Sequence, residues 1–146
     1  PGYKSMHMHY VTGDITVIVL SNNESQSEFI ADGLATIASG KEIVPISVHK
    51  ERLIKEPLYQ YTGKYMMPLT LPPYMTNFPV EIILKNNALY IHPFRGKDIK
   101  LKAETSSKFF YGNGTDQQII FQKNRRANTY KVWHVAWGVK KEIKKI

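Results

Sequence analysis

From Leu58 onward the chain is a succession of short β-type runs cut by turn residues. The runs are "YTGKYMM", "VEIILKNNALYIHPF", "IKLKAET", "SKFFYG", "QQIIFQKN" and "TYKVWHVAWG". They are rich in β-branched and aromatic side chains and too short for helices. "KNN", "RGKD", "GNGTD" and "NRRANT" separate them, each with the Asn, Gly or Asp that tight turns require. Such spacing predicts an antiparallel barrel, or a strongly bent sheet, of roughly eight strands over about residues 58–139. A parallel pair, which needs a crossover of a dozen or more residues, would count against it. Pro72 and Pro73 in "PLTLPPYM" forbid a central strand there. The final "VKKEIKKI" reads either as a last strand or as a frayed tail.

The first 42 residues are different. "YKSMHMHYV" alternates, with Tyr3, Ser5, His7 and His9 on one face and Lys4, Met6, Met8 and Tyr10 on the other. "TGD" is a turn, and "ITVIVL" follows as a nearly unbroken β-branched run, which predicts cover on both faces. A lone hairpin is marginal in water. "SNNESQSEFIADGLATIASGKE" then predicts a helix. Ser25 or Ser27 is the candidate cap, Glu28 suits the first turn, Gly40 is the stop, and Phe29, Ile30, Leu34, Ile37 and Ala38 form the apolar stripe. Residues 43–57 form a connector between Pro45 and Pro57, with a short helix expected around "HKERLIKE".

Charge follows the same division. Residues 1–42 carry two basic and five acidic side chains, and residues 43–146 carry eighteen and seven, within a net charge of +8. The change of sign suggests two units of different origin, and the basic part favours anionic partners without naming one. There is no Cys, which excludes disulfides and thiolate chemistry. No run approaches the ~18 apolar residues of a membrane span.

The order of these elements resembles the end of the catalytic domain of serine β-lactamase-like hydrolases and penicillin-binding-protein relatives. In that family a His-x-Gly-Gly-x-Pro-Gly-aromatic segment leads into two antiparallel strands, the second ending in Ser-Asn-Asn or Ala-Asn before a C-terminal helix. Pro1, Gly2 and Tyr3 match the tail of that segment, and Leu20 to Asn23 the strand end. Further on, Leu58, Tyr61, Gly63 and Tyr65 fit the Leu-x-x-Tyr-x-Gly-x-Tyr signature that opens a lipocalin-like barrel appended to many such hydrolases. The resemblance implies a mainly β chain in three parts. Residues 1–42 are the hairpin and helix of an α/β catalytic domain, 43–57 a linker, and 58–146 the accessory barrel. It implies a parent that performs acyl transfer on β-lactam, peptide or ester substrates and is exported, and a partner in the catalytic domain of the same protein. The strands completing the sheet of the hairpin are expected upstream of residue 1.

The family's chemistry needs Ser-x-x-Lys at a helix start, with a Tyr assisting proton transfer. Ser47-Val48-His49-Lys50 has the spacing in the wrong context, Tyr-x-Asn is absent, and Thr62-Gly63-Lys64 reverses Lys-Thr-Gly. No catalytic, cofactor or metal residue is therefore assigned. His7 and His9 have a zinc-type spacing, but no third ligand lies near them in sequence, and a partly exposed strand face is the better reading. Asn23-Glu24-Ser25 and Asn113-Gly114-Thr115 match the glycosylation pattern.

Tyr90, His92 and Phe94 share one face of a run, and Trp133, Val135 and Trp137 one face of another. Packed core is the first reading for them. The second is the lining of a small cavity for an apolar ligand, formed by Tyr90, His92, Phe94, Trp133 and Trp137. Lys123, Arg125 and Arg126 flank a turn, and Lys140, Lys141, Lys144 and Lys145 cluster late. Without interleaved stacking aromatics these read as a solvated basic surface rather than a nucleic-acid site. The alternative to the hydrolase reading is a free-standing lipocalin-like barrel that binds a small apolar ligand, and a basic polymer-binding barrel is the third. The uncovered hairpin predicts homo-dimerisation.

Overall fold

The computed structural model describes residues 2–23, 27–45, 47–68, 77–112, 116–124 and 129–146. The predicted loop around Pro72 and Pro73, the Asn113 glycosylation triplet, the Ser25 cap, and Arg125 and Arg126 lie outside the described residues. Two compact units are present: residues 1–46 with 136–139, and residues 47–135 with 140–146.

In the first unit β1 (Lys4–Tyr10) pairs antiparallel with β2 (Ile15–Ser21). Gly13 and Asp14 turn the chain at positive φ, 96° and 50°. Cross-strand pairs Met6–Val19, Met8–Val17 and Tyr10–Ile15 form the covered face. They pack against Ala31 and Ala35 of α1 (Ser27–Ala38). The helix stops as predicted. Gly40 sits at φ 75°, its N–H donates to the Ile37 carbonyl, and the Lys41 N–H donates to the Thr36 carbonyl. The buried stripe differs from expectation, because the small side chains of Ala31 and Ala35 let the helix lie close to the strands. Ile30, Leu34 and Ile37 are left 46%, 47% and 51% exposed. β2 is likewise covered on one face only, with Ile18 62% and Leu20 80% exposed. Phe29 stacks on Trp137 at 5.1 Å, and the Val44 N–H donates to the Gly138 carbonyl over 2.7 Å.

The second unit is a closed antiparallel barrel of eight strands. They are β3 (Gly63–Met67), β4 (Phe78–Lys85), β5 (Ala88–Pro93), β6 (Ile99–Ala103), β7 (Lys108–Tyr111), β8 (Gln117–Asn124), β9 (Thr129–Ala136) and β10 (Val139–Lys145). Each strand neighbours the next in sequence, and β10 closes on β3 through Lys144–Met66 and Lys145–Tyr65. The last basic segment is therefore a strand. Two-residue turns at positive φ, Asn86-Asn87 and Trp137-Gly138, suit the right-handed twist of tight hairpins. Alternate residues point inward: Tyr65 and Met67, Val80 and Ile82, Leu89 and Ile91, then Leu101, Phe109, Ile119, Phe121, Val132 and Ile143.

The helix expected around "HKERLIKE" is absent; residues 47–55 form neither helix nor strand. The Arg52 N–H donates to the Ala103 carbonyl over 2.7 Å, a bond that a helix would have used internally. No helix among the described residues is long and apolar enough to cross a membrane.

Candidate functional site

One end of the barrel is stopped by its own chain. A single 3-10 turn, Tyr59–Tyr61, precedes β3. It places the Tyr61 ring against Phe121 at 4.3 Å and edge-on to Phe109 and Tyr130 at 5.6 and 5.2 Å. The Tyr61 hydroxyl donates to the Ser106 carbonyl, and the Tyr65 hydroxyl to the Tyr61 carbonyl, each over 2.9 Å. Leu58 packs against the same cluster. Gly63 adopts φ 139°, where a Cβ would lie 2.6 Å from Lys145 Cε. The spaced residues Leu58, Tyr61, Gly63 and Tyr65 thus act together as a plug. Burial, and for Tyr61 also the nearby Tyr130, pushes both phenols up to about 12, so neither serves as a base at neutral pH.

Elsewhere in the interior lies a more polar pair. His134 sits on the face of β9 that carries Tyr130 and Val132, with its ring 6.0 Å from that of Tyr111. Burial, assisted by the Lys141 charge, lowers His134 to about 4, so it is neutral at pH 7. Its Nε2 is buried with no hydrogen-bond partner among the described residues. Burial also raises the Tyr111 phenol.

On the outside of the barrel, His49 is clamped. Its Nδ1 lies 3.1 Å from Glu104 Oε2, its Nε2 lies 2.9 Å from Asp116 Oδ1, and its ring stacks on Phe110 at 5.0 Å. The side chain is 8% exposed. Lys108 reaches Glu104 at 3.0 Å, and Lys100 and Lys102 lie 3.7 and 3.6 Å from Glu51. Burial alone would raise Glu104, but its bonds to Lys108 and His49 outweigh that and hold it below the usual carboxylate range. Both imidazole nitrogens are thus engaged by carboxylates, which fastens residues 47–50 to the barrel wall. Neighbouring Ser47 and Lys50 stand exposed, outside any helix or strand. The helical geometry required of Ser-x-x-Lys is missing there.

The five cavity candidates do not converge. Leu89 and Ile91 take the interior positions of β5, which leaves Tyr90 and His92 facing out with Ile83, Glu81 and Lys100 beside them. His92 bonds Asp98 over 2.7 Å, and Phe94 is 81% exposed. Trp133 faces out between Lys131 and Lys140. Trp137 occupies a turn and belongs with Phe29 in the first unit. His9 bonds Thr16 over 2.9 Å on the exposed face of the hairpin, and no metal-binding cluster occurs among the described residues.

That exposed face carries Ile18 and Leu20 open to solvent. Ser5, His7 and His9 pair across the strands with Leu20, Ile18 and Thr16. An open groove of about 530 Å³ runs past Tyr3, Lys4, Ser5, Leu20, Ser21 and Asn22. On the helix, Ile30, Leu34 and Ile37 recur at helical spacing as a second apolar stripe. The chain matches no protein-family model, no curated protein and no solved structure.

Proposed function

We propose that this chain is the non-catalytic C-terminal portion of a serine hydrolase of the β-lactamase-like class. The hairpin and helix form one slice of the catalytic domain, and the barrel serves as an accessory domain at the active-site entrance. One observation carries the reading: the hairpin–helix unit is apolar on both outer faces, with Ile18 and Leu20 on the sheet side and Ile30, Leu34 and Ile37 on the helix side. A layer of this kind normally lies inside a larger α/β stack, where further strands and helices cover it. The exposed Ser47 and Lys50, and the fully engaged His49, support a chain without its own nucleophile or base.

The test is to express the uninterrupted gene and treat the product with a fluorescent penicillin. A covalent adduct on a serine upstream of Pro1 supports the reading. An upstream frame lacking Ser-x-x-Lys and Tyr-x-Asn, or a product that is never acylated, overturns it. The second reading, a free-standing barrel holding a small apolar ligand, draws on the buried His134–Tyr111 pair. Against it stands the aromatic plug of Tyr61, Phe109, Phe121 and Tyr130, which fills one end of the interior.

A further inference from the structure

Trp133 stands on the outward face of β9, and two lysines reach its ring. Lys131 Nζ lies 4.6 Å from the ring centroid and Lys140 Nζ 4.4 Å. The indole N–H donates to Gln122 Oε1 over 3.2 Å, which fixes the plane of the ring. Lys144 shares the outward face of β10 with Lys140. The acid on that face, Glu142, is engaged by Lys131 at 3.1 Å. Four other acids of this unit are engaged elsewhere: Glu51 with Lys100 and Lys102, Asp98 with Lys85 and His92, Glu104 with Lys108 and His49, and Asp116 with His49. The wall formed by β8, β9 and β10 is therefore left positive around a ring of fixed orientation.

We propose that this wall is a docking surface for an anionic polysaccharide. The flat indole offers an apolar platform for the C–H face of a pyranose. Lys131 and Lys140 carry compact ammonium charges on long stems, which can swing from the ring to carboxylates along a chain. Gln122 adds an amide beside the ring for hydroxyl groups. Single-stranded nucleic acid fits less well, because it uses successive stacking platforms. Trp133 is the one aromatic side chain on the outward faces of β8, β9 and β10 among the described residues.

The experiment titrates the full chain with polygalacturonate, with its methyl ester, and with oligothymidylate, following tryptophan emission in a Trp137→Phe background. Polygalacturonate should bind at least tenfold more tightly than the uncharged ester, and added salt should weaken it. The double variant Lys131→Gln/Lys140→Gln and the single variant Trp133→Ala should each lose at least tenfold, read by titration calorimetry. Lys97→Gln, on a distant turn, should lose nothing. Equal binding of acid and ester overturns the proposal, as does oligothymidylate binding as strong as polygalacturonate, or unchanged binding in the lysine double variant. If Trp133→Ala unfolds, the double variant decides, since it alters only outward-facing side chains.

Discussion

The Tyr65 hydroxyl donates to the Tyr61 carbonyl over 2.9 Å, inside the barrel. This bond ties the first barrel strand to the turn that stops the barrel's end. Tyr65→Phe leaves a buried carbonyl without its donor and should cost about 1–2 kcal/mol. Tyr61→Ala removes the plug itself and should cost about 3–5 kcal/mol, as for other buried aromatics cut to alanine. Urea midpoints at constant slope check both. A Tyr61→Ala loss below about 1 kcal/mol would mean that the cluster collapses around the gap.

The His49 clamp predicts an asymmetric set of losses. His49→Ala leaves Glu104 and Asp116 without the imidazole that holds both and should destabilise the barrel by about 3 kcal/mol. Removing one carboxylate as well, in His49→Ala/Asp116→Asn, should recover part of that loss. A double-mutant cycle with no coupling between positions 49 and 116 would refute the clamp.

Acid should weaken the barrel in two adjoining windows. His134 is lowered from 6.5 to about 4 in the fold. Below pH 6.5 the unfolded chain takes up a proton that the folded chain refuses, so stability falls from about pH 6.5 to about pH 4. Glu104 is held below its ordinary 4.5, so its contribution is present above that value and is lost as pH drops through the folded one. His134→Leu should flatten the upper window, and Glu104→Gln the lower. Denaturant midpoints between pH 3.5 and 7.5 decide, and a flat profile in the parent chain contradicts both assignments.

In the isolated chain, the uncovered hairpin face should bring two copies together. Burying an Ile or Leu contributes ~1.5–3 kcal/mol, and the two-stranded sheet of β1 and β2 has open edges that recruit partners. Ile18→Lys with Leu20→Lys should shift sedimentation from dimer to monomer. A parent chain that is monomeric at tens of micromolar would contradict the prediction.

How much of this was legible beforehand depended on how local each signal is. The Asn86-Asn87 hairpin, the Gly40 helix stop and the meander of short strands rest on neighbours in sequence, and the structure follows them. The aromatic run Tyr90, His92 and Phe94 reads as the inner face of β5, but Leu89 and Ile91 take the core and leave it outside. Pairing with Leu101 and Ile99 of β6 decided it. The helix stripe departs from its pattern because large apolar residues outweigh alanines in a sequence, although Ala31 and Ala35 permit the closer approach. The His49 clamp had no local signal, since its partners lie 55 and 67 positions away. The proposed hydrolase origin of the hairpin and helix joins the resemblance to the exposed apolar side chains on both outer faces of that unit.

The seam between β10 and β3 has a consequence for synthesis. Lys145 pairs with Tyr65, across nearly the whole length of the barrel segment. During translation seven strands leave the ribosome before the eighth can close the ring, so a growing chain carries two unpaired strand edges for most of its synthesis. Sequence-distant pairing of this kind is slow to form, and nascent edges are where chains stick to one another. Closure thus comes last in the making of this barrel. A synonymous change that slows decoding of residues 139–145 would lengthen the interval in which aggregation competes with it.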